Sequence, residues 1–130
     1  MGHRGVIAAS AVTADKNPEY DTPAGRDTVD RVFLLSADEA ARYFANDEAR
    51  MCMPTEYAIV QRAWKDVEHI DYPTGVFTTC WWWLRTPGST SERTARVRSD
   101  GSIDCEGSVS YHLYDAVRPA VWIYVGKAAG

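Results

Sequence analysis

The chain is poor in the residues that metal and thiol chemistry need. Its 130 residues hold three cysteines, Cys52, Cys80 and Cys105, an odd number with no CxxC spacing. A zinc site is therefore not expected. Small, buried, reduced thiols are the plain reading, with one disulfide and a free thiol as the alternative. The three histidines, His3, His69 and His112, show no HxxxH arrangement. Ser36, Ser89 and Ser108 lack a GxSxG context. No activated nucleophile or acid–base pair can be named, so the sequence argues against an enzyme, and no cofactor or metal is expected.

Long apolar runs are also missing. No segment is long and apolar enough to span a membrane as a helix, and no signal peptide is visible. Charge of one sign is scarce: the formal net charge is -4. That mild balance argues against a nucleic-acid partner. The basic cluster Arg85, Arg93, Arg96 and Arg98 is followed by Asp100, Asp104 and Glu106, so the local field is mixed.

What is present is a framework with a polar insert. Cys80-Trp81-Trp82-Trp83-Leu84-Arg85-Thr86-Pro87-Gly88 and Val117-Arg118-Pro119-Ala120-Val121-Trp122-Ile123 flank about thirty residues of Ser, Thr, Arg, Asp, Glu, Tyr and His. Indoles bury large apolar areas and seek a partner for the N–H, so the flanks read as core. On a strand, Trp81, Trp82 and Trp83 alternate faces, and at least one points away from the main core. Arg85 and Arg118 read as structural contacts to carboxylates or carbonyls, with Glu39, Asp38 and Asp27 as candidate partners.

The pattern predicts one α+β domain over residues 1–130. Val6–Ala9 is a short strand or helix end. Residues 13–30 are an irregular loop, and Arg31–Leu35 is a strand. Ser36 caps a helix to about Phe44, with Glu39 completing a capping box. Thr55 caps a second helix to about Lys65, with Tyr57, Val60, Ala63 and Trp64 as its apolar face. Residues 66–79 form a loop. Strands follow at Trp81–Leu84, Thr94–Arg98, Ser102–Asp104 and Val117–Val125, with Asp100-Gly101 at a hairpin turn. The expectation is two helices packed on a small twisted antiparallel sheet.

The polar insert reads as a binding face held by a rigid frame. Tyr111, His112, Tyr114, Arg93, Arg96 and Arg98 are candidate anchors, because Tyr has few rotors and Arg a planar fork. The bland alternative is an ordinary hydrophilic hairpin surface.

Trp82-Trp83-Leu84-Arg85-Thr86-Pro87-Gly88, Asp100-Gly101, Gly107-x-Val109 and Val117-Arg118-Pro119-Ala120 resemble a bacterial and phage family patterned WWLRSPG, then A-x-V, DG and G-x-V, then GVRPA. Asn17-Pro18-Glu19-Tyr20, Asp27-Thr28 and Asp30–Ser36 with Glu39-Ala40 extend the likeness. That family is similar to C-type-lectin-like domains of the formylglycine-generating-enzyme kind. Members occur as variable proteins of diversity-generating retroelements, in which adenine-containing codons are randomised. Asn is absent after Asn46, as expected of a scrambled Asn-rich template.

The resemblance implies a C-type-lectin-like fold and a diversified ligand-binding face. Its residues are Ser89, Thr90, Ser91, Glu92, Arg93, Thr94, Arg96, Arg98, Ser102, Asp104, Glu106, Ser108, Ser110, Tyr111, His112 and Tyr114. The implied partner is a protein or glycan on a cell surface, with a location at the cell surface or on a virion; the cytoplasm stays open. The calcium-lectin signatures Glu-Pro-Asn, Gln-Pro-Asp and Trp-Asn-Asp are absent, and Asp100, Asp104 and Glu106 read as a solvated turn. Thr86 stands in place of Ser and Ala116 in place of Gly. Residues 1–12 match poorly and read as a linker or added leader, and one reading makes the chain the C-terminal domain of a longer protein. The alternative function is a structural or assembly domain of a surface or phage tail protein, without a variable site.

Overall fold

The computed structural model describes residues 6–53, 55, 70–71, 76–77, 79–109 and 115–125. The elements run β1 (Val6–Ala8), β2 (Ser10–Val12), β3 (Thr28–Asp30), α1 (Ala37–Tyr43), α2 (Asp47–Arg50), β4 (Ile70–Asp71), β5 (Val76–Phe77), β6 (Trp82–Pro87), β7 (Arg93–Val97), β8 (Ile103–Val109) and β9 (Trp122–Tyr124). The expected fold class is corrected by this architecture. The described residues are 38% strand and 12% helix, and both helices are short. The strands form separate small sheets: β1-β9, β2-β3, β4-β5 and β6-β7-β8, all antiparallel. Among the described residues, two helices packed on one sheet are not evident. The second helix expected at 55–65 lies outside the described residues, apart from Thr55.

The correction has a physical origin. Strands of two or three residues are too short to show a period of two, and their partners are distant. Val6 pairs with Tyr124 and Ala8 with Trp122, so β1 is set by the far end of the sequence. The expected strand Arg31–Leu35 is displaced: β3 ends at Asp30, and Phe33 makes only a bridge to Ala120, with reciprocal N–H···O distances of 3.0 and 2.7 Å. Residues 66–79, expected as loop, include the β4-β5 ladder. The long strand expected at Val117–Val125 shrinks to β9.

Local chemistry explains α1. The Ser36 hydroxyl accepts from the Glu39 N–H at 3.1 Å, and the Glu39 carboxylate accepts from the Ser36 N–H at 3.0 Å, a complete capping box. Ala37 and Ala40 turn inward and meet Trp82, Leu84, Ala95 and Val97 in the main core. On β6 the burial alternates strictly from Trp82 to Pro87, the signature of a strand with one face on the core. Thr86 sits at the inward end of that series and accepts from the Ala37 N–H at 2.8 Å. A serine hydroxyl at this position would supply the same acceptor.

Both outer strands of the three-stranded sheet bulge opposite Ala95. Trp83 pairs with Arg96 and Pro87 with Thr94; on the other side Thr94 pairs with Ser108 and Arg96 with Asp104. Two steps of β7 thus face four of each neighbour, and the extra residues turn the strands away from a flat ladder. Gly107, at φ +75°, makes the β8 bulge, and a Cβ there would run into the Thr94 carbonyl. Gly101, at φ +86°, closes the β7–β8 turn with its α-carbon face against the Asp47 backbone. Only glycine meets both demands.

Candidate functional site

Two arginines expected as structural are so. Arg85 pairs with Glu39, reaches Asp15 at 3.6 Å, and donates to the carbonyls of Leu34 at 2.8 Å and Thr13 at 3.1 Å. It joins the N-terminal loop, the α1 cap and β6. Burial pushes the Asp15 carboxyl up. Hydrogen bonds from Ser36 and Thr13 and the charges of Arg85 and Arg42 outweigh that, so the net shift is down. Arg118 lies over the rings of Trp82 (4.9 Å) and Phe44 (5.1 Å) and donates to the Arg50 carbonyl at 3.4 Å. The Trp82 indole N–H donates to that same carbonyl at 3.0 Å.

The sixteen residues expected on the binding face separate into distinct groups. Ser110, Tyr111, His112 and Tyr114 lie outside the described residues. Arg96, Arg98, Asp104 and Ser102 form one internal network. Arg96 holds Asp104 at 3.1 Å and Asp115 at 3.2 Å, and its guanidinium lies 4.0 Å from the Trp81 ring centre. Arg98 holds Asp104 at 3.3 Å and Ser102 at 3.2 Å. Asp104 also accepts from the Gly107 N–H at 3.1 Å, which fixes the bulge. Its carboxyl is raised by burial and lowered more by Gly107, Arg96 and Arg98, for a net downward shift. Arg93 donates to the Gly107 carbonyl at 3.0 Å. Thr94 and Ser108 pair across β7–β8 and are half-buried.

Ser89, Thr90, Ser91, Glu92 and Glu106 remain outward, Ser89 half-buried and the others exposed. The first three line a groove of about 400 Å³ whose other wall is Tyr20, Asp21, Thr22 and Pro23. The Asn17-Pro18-Glu19-Tyr20 motif builds that wall. The buried Asn17 amide donates to the carbonyls of Pro87 (2.9 Å) and Cys105 (2.7 Å), and its oxygen accepts from the N–H groups of Glu19 (2.8 Å) and Tyr20 (3.0 Å). The Thr22 hydroxyl donates to the Gly88 carbonyl at 2.5 Å. The loop is thus pinned against the β6–β7 turn, leaving the Tyr20 ring partly exposed beside three hydroxyl side chains. An aromatic face with hydroxyls and a carboxylate suits a polar, many-hydroxyl or peptide ligand. Sequence reasoning missed this wall. The signal was the Asn17-Pro18 pair preceding a tyrosine, which marked a turn without showing what the turn faces.

A second cleft, of about 380 Å³, is apolar: Phe33, Leu35, Tyr43, Phe44, Ala120, Val121 and Trp122 line it. Tyr43 and Trp122 meet edge to face there at 6.1 Å.

All three cysteines are free thiols. Cys52 and Cys80 face each other in an antiparallel bridge, with the Cys80 N–H donating to the Cys52 carbonyl at 2.7 Å. The neighbouring Cys80 thiol, against burial and with help from Arg118, brings the Cys52 thiol down to about 6. Cys80 is pushed up by the neighbouring Cys52 and by burial. Burial, Glu19 and Asp104 push Cys105 up to about 11. Among the described residues, no group of three or more His, Cys, Asp or Glu is placed to hold a metal ion. No helix among them is long and apolar enough to cross a membrane.

The chain belongs to the DUF6273 family, a domain of unknown function whose profile matches residues 3–125. No curated protein and no solved structure gives a match.

Proposed function

We propose that this domain is a non-enzymatic recognition module that binds a macromolecular ligand, a protein or a glycan, through the outward part of residues 89–115 and the adjoining Tyr20–Pro23 wall. The groove of about 400 Å³ carries the reading, because it joins Ser89, Thr90 and Ser91 to an aromatic ring and a carboxylate on a pinned loop. The resemblance to variable proteins of diversity-generating retroelements fits the same partition. Of the letters that family keeps fixed, Ala95, Val97, Gly101 and Gly107 are buried here and Val109 is half-buried, while residues 90–92 and Glu106 are exposed. Diversification is then confined to positions outside the Arg96–Asp104–Asp115 network.

The test is binding of the purified domain to arrays of glycans and surface proteins. Tyr20→Ala and the triple change Ser89→Ala, Thr90→Ala, Ser91→Ala are expected to abolish any signal at an unchanged melting temperature. Retained binding in both would overturn the groove reading. For the diversification, the gene should lie beside a reverse transcriptase and a near-copy of its codons 80–120 differing mainly at adenines; absence of both leaves a fixed specificity.

A second reading is favoured by the β1-β9 ribbon, where Val6, Ile7, Trp122, Ile123 and Tyr124 are all exposed. Contiguous exposed apolar residues mark contact surfaces. An assembly domain of a larger surface or tail protein would use this ribbon, and light scattering that shows a stable oligomer lost in Trp122→Ser would favour it.

A further inference from the structure

The cysteine pair belongs to neither the groove nor the ribbon. Cys52 and Cys80 are far apart in sequence and meet in an antiparallel bridge, beside the bond from the Trp82 indole to the Arg50 carbonyl. A hydrogen-bonded antiparallel pair sets its Cα atoms about 5.5 Å apart, within the span of about 4.4–6.8 Å that a disulfide bridges. Cys52 is half-buried and open to a small reagent, whereas Cys80 is fully buried behind it. Arg118 is the charged group whose field reaches both sulfurs.

We propose that Cys52 and Cys80 form a reversible disulfide by exchange with a low-molecular-weight disulfide such as oxidised glutathione, with Cys52 as the attacking and Cys80 as the resolving thiol. In the first step the Cys52 sulfur bonds to one sulfur of the reagent, the reagent's S–S bond breaks, and a thiolate leaves and takes up a proton. In the second step Cys80 gives up its proton, its sulfur attacks the Cys52 sulfur, and the second thiolate leaves and is protonated. Two electrons pass from the pair to the reagent, which ends as two thiols. The geometry assigns the roles: the accessible sulfur meets the reagent and the buried one waits beside it. The lowered titration of Cys52 supports the same order, since the thiolate is the nucleophile. Cys105, buried on β8, takes no part. The bond clamps the ends of the 53–79 segment to β6 and restricts the unfolded chain.

The test exposes the native chain to excess oxidised glutathione, then alkylates it and measures intact and peptide masses. The expected product has lost two hydrogens, links Cys52 to Cys80, leaves Cys105 alkylated, and melts at a higher temperature than the reduced chain. Cys80→Ser is expected to stall with one glutathione on Cys52; Cys52→Ser is expected to stay unmodified at Cys80. A wild-type chain that remains reduced, keeps a glutathione adduct, or pairs Cys105 overturns the proposal, and this reading needs no variant to fold.

Discussion

The β6-β7-β8 sheet and the β1-β9 ribbon are both rich in tryptophan and β-branched residues, yet they end up on opposite sides of the solvent boundary. In the sheet Trp82, Leu84, Ala95 and Val97 are all 0% exposed. In the ribbon Trp122 is 50% and Tyr124 62% exposed. Composition does not make this difference. Polar tethers do: Arg50 to Gly101, Thr86 to Ala37, Asn17 to Pro87 and Cys105, and Arg85 to Glu39 draw distant segments over the sheet. Among the described residues the ribbon has its backbone ladder, the Arg31 bond to the Ile7 carbonyl at 3.2 Å and the Tyr43–Trp122 contact, and most of its apolar side chains stay exposed.

Substitutions sharpen the contrast, and the largest effect belongs to the sheet. Trp82→Ala should cost about 3–5 kcal/mol in urea unfolding, because it empties the centre of the core. It also strips one donor from the Arg50 carbonyl. Arg96→Ala should cost about 3 kcal/mol, since the buried Asp115 carboxylate would lose its Arg96 ion pair and Asp104 would be left to Arg98. The same network sets an acid limb. Asp104 titrates below its ordinary 3.8 in the folded chain, so the unfolded chain takes up the proton first as pH falls. Its contribution is full above that ordinary value and disappears as pH drops through the lower folded value. Melting temperature against pH should therefore fall below about 4, and Asp104→Asn should flatten that fall.

Smaller effects follow at the groove wall and the ribbon. Asn17→Ala leaves two carbonyls without their donor and should cost about 1–3 kcal/mol in the same unfolding assay. Trp122→Ser should cost about 1 kcal/mol or less, with the loss confined to the edge-to-face contact with Tyr43. If Trp122→Ser proves as damaging as Trp82→Ala, the distinction between buried sheet and available ribbon fails.

The sequence revealed what local chemistry controls. The Ser36–Glu39 capping box, the Asp100-Gly101 turn and the alternating tryptophans are all where their residues place them. It did not reveal what distant partners control. Helix α2 is a single turn, capped by Asn46 and held by Arg50 against the Gly101 carbonyl, and four residues carry no periodicity. Strands β1 and β9 are set by each other across the whole chain. The arginines of the polar run looked like free anchors because the letters show a charge and not its partner. Arg96 sits between two carboxylates, one of them eight residues away and the other nineteen. The groove was half legible: Ser89, Thr90 and Ser91 were named, while the facing loop emerges only once Asn17 is seen to bridge β6 and β8.

The central claim is that residues 82–109 combine an obligatory frame with a dispensable outer surface. A saturation scan of that segment, read out by protease resistance of the displayed domain, tests it without a ligand. Intolerance is expected at Trp82, Leu84, Thr86, Ala95, Arg96, Val97, Gly101, Asp104 and Gly107, and free substitution at Thr90, Ser91 and Glu106. Uniform tolerance across both sets, or intolerance at the outward three, would contradict it.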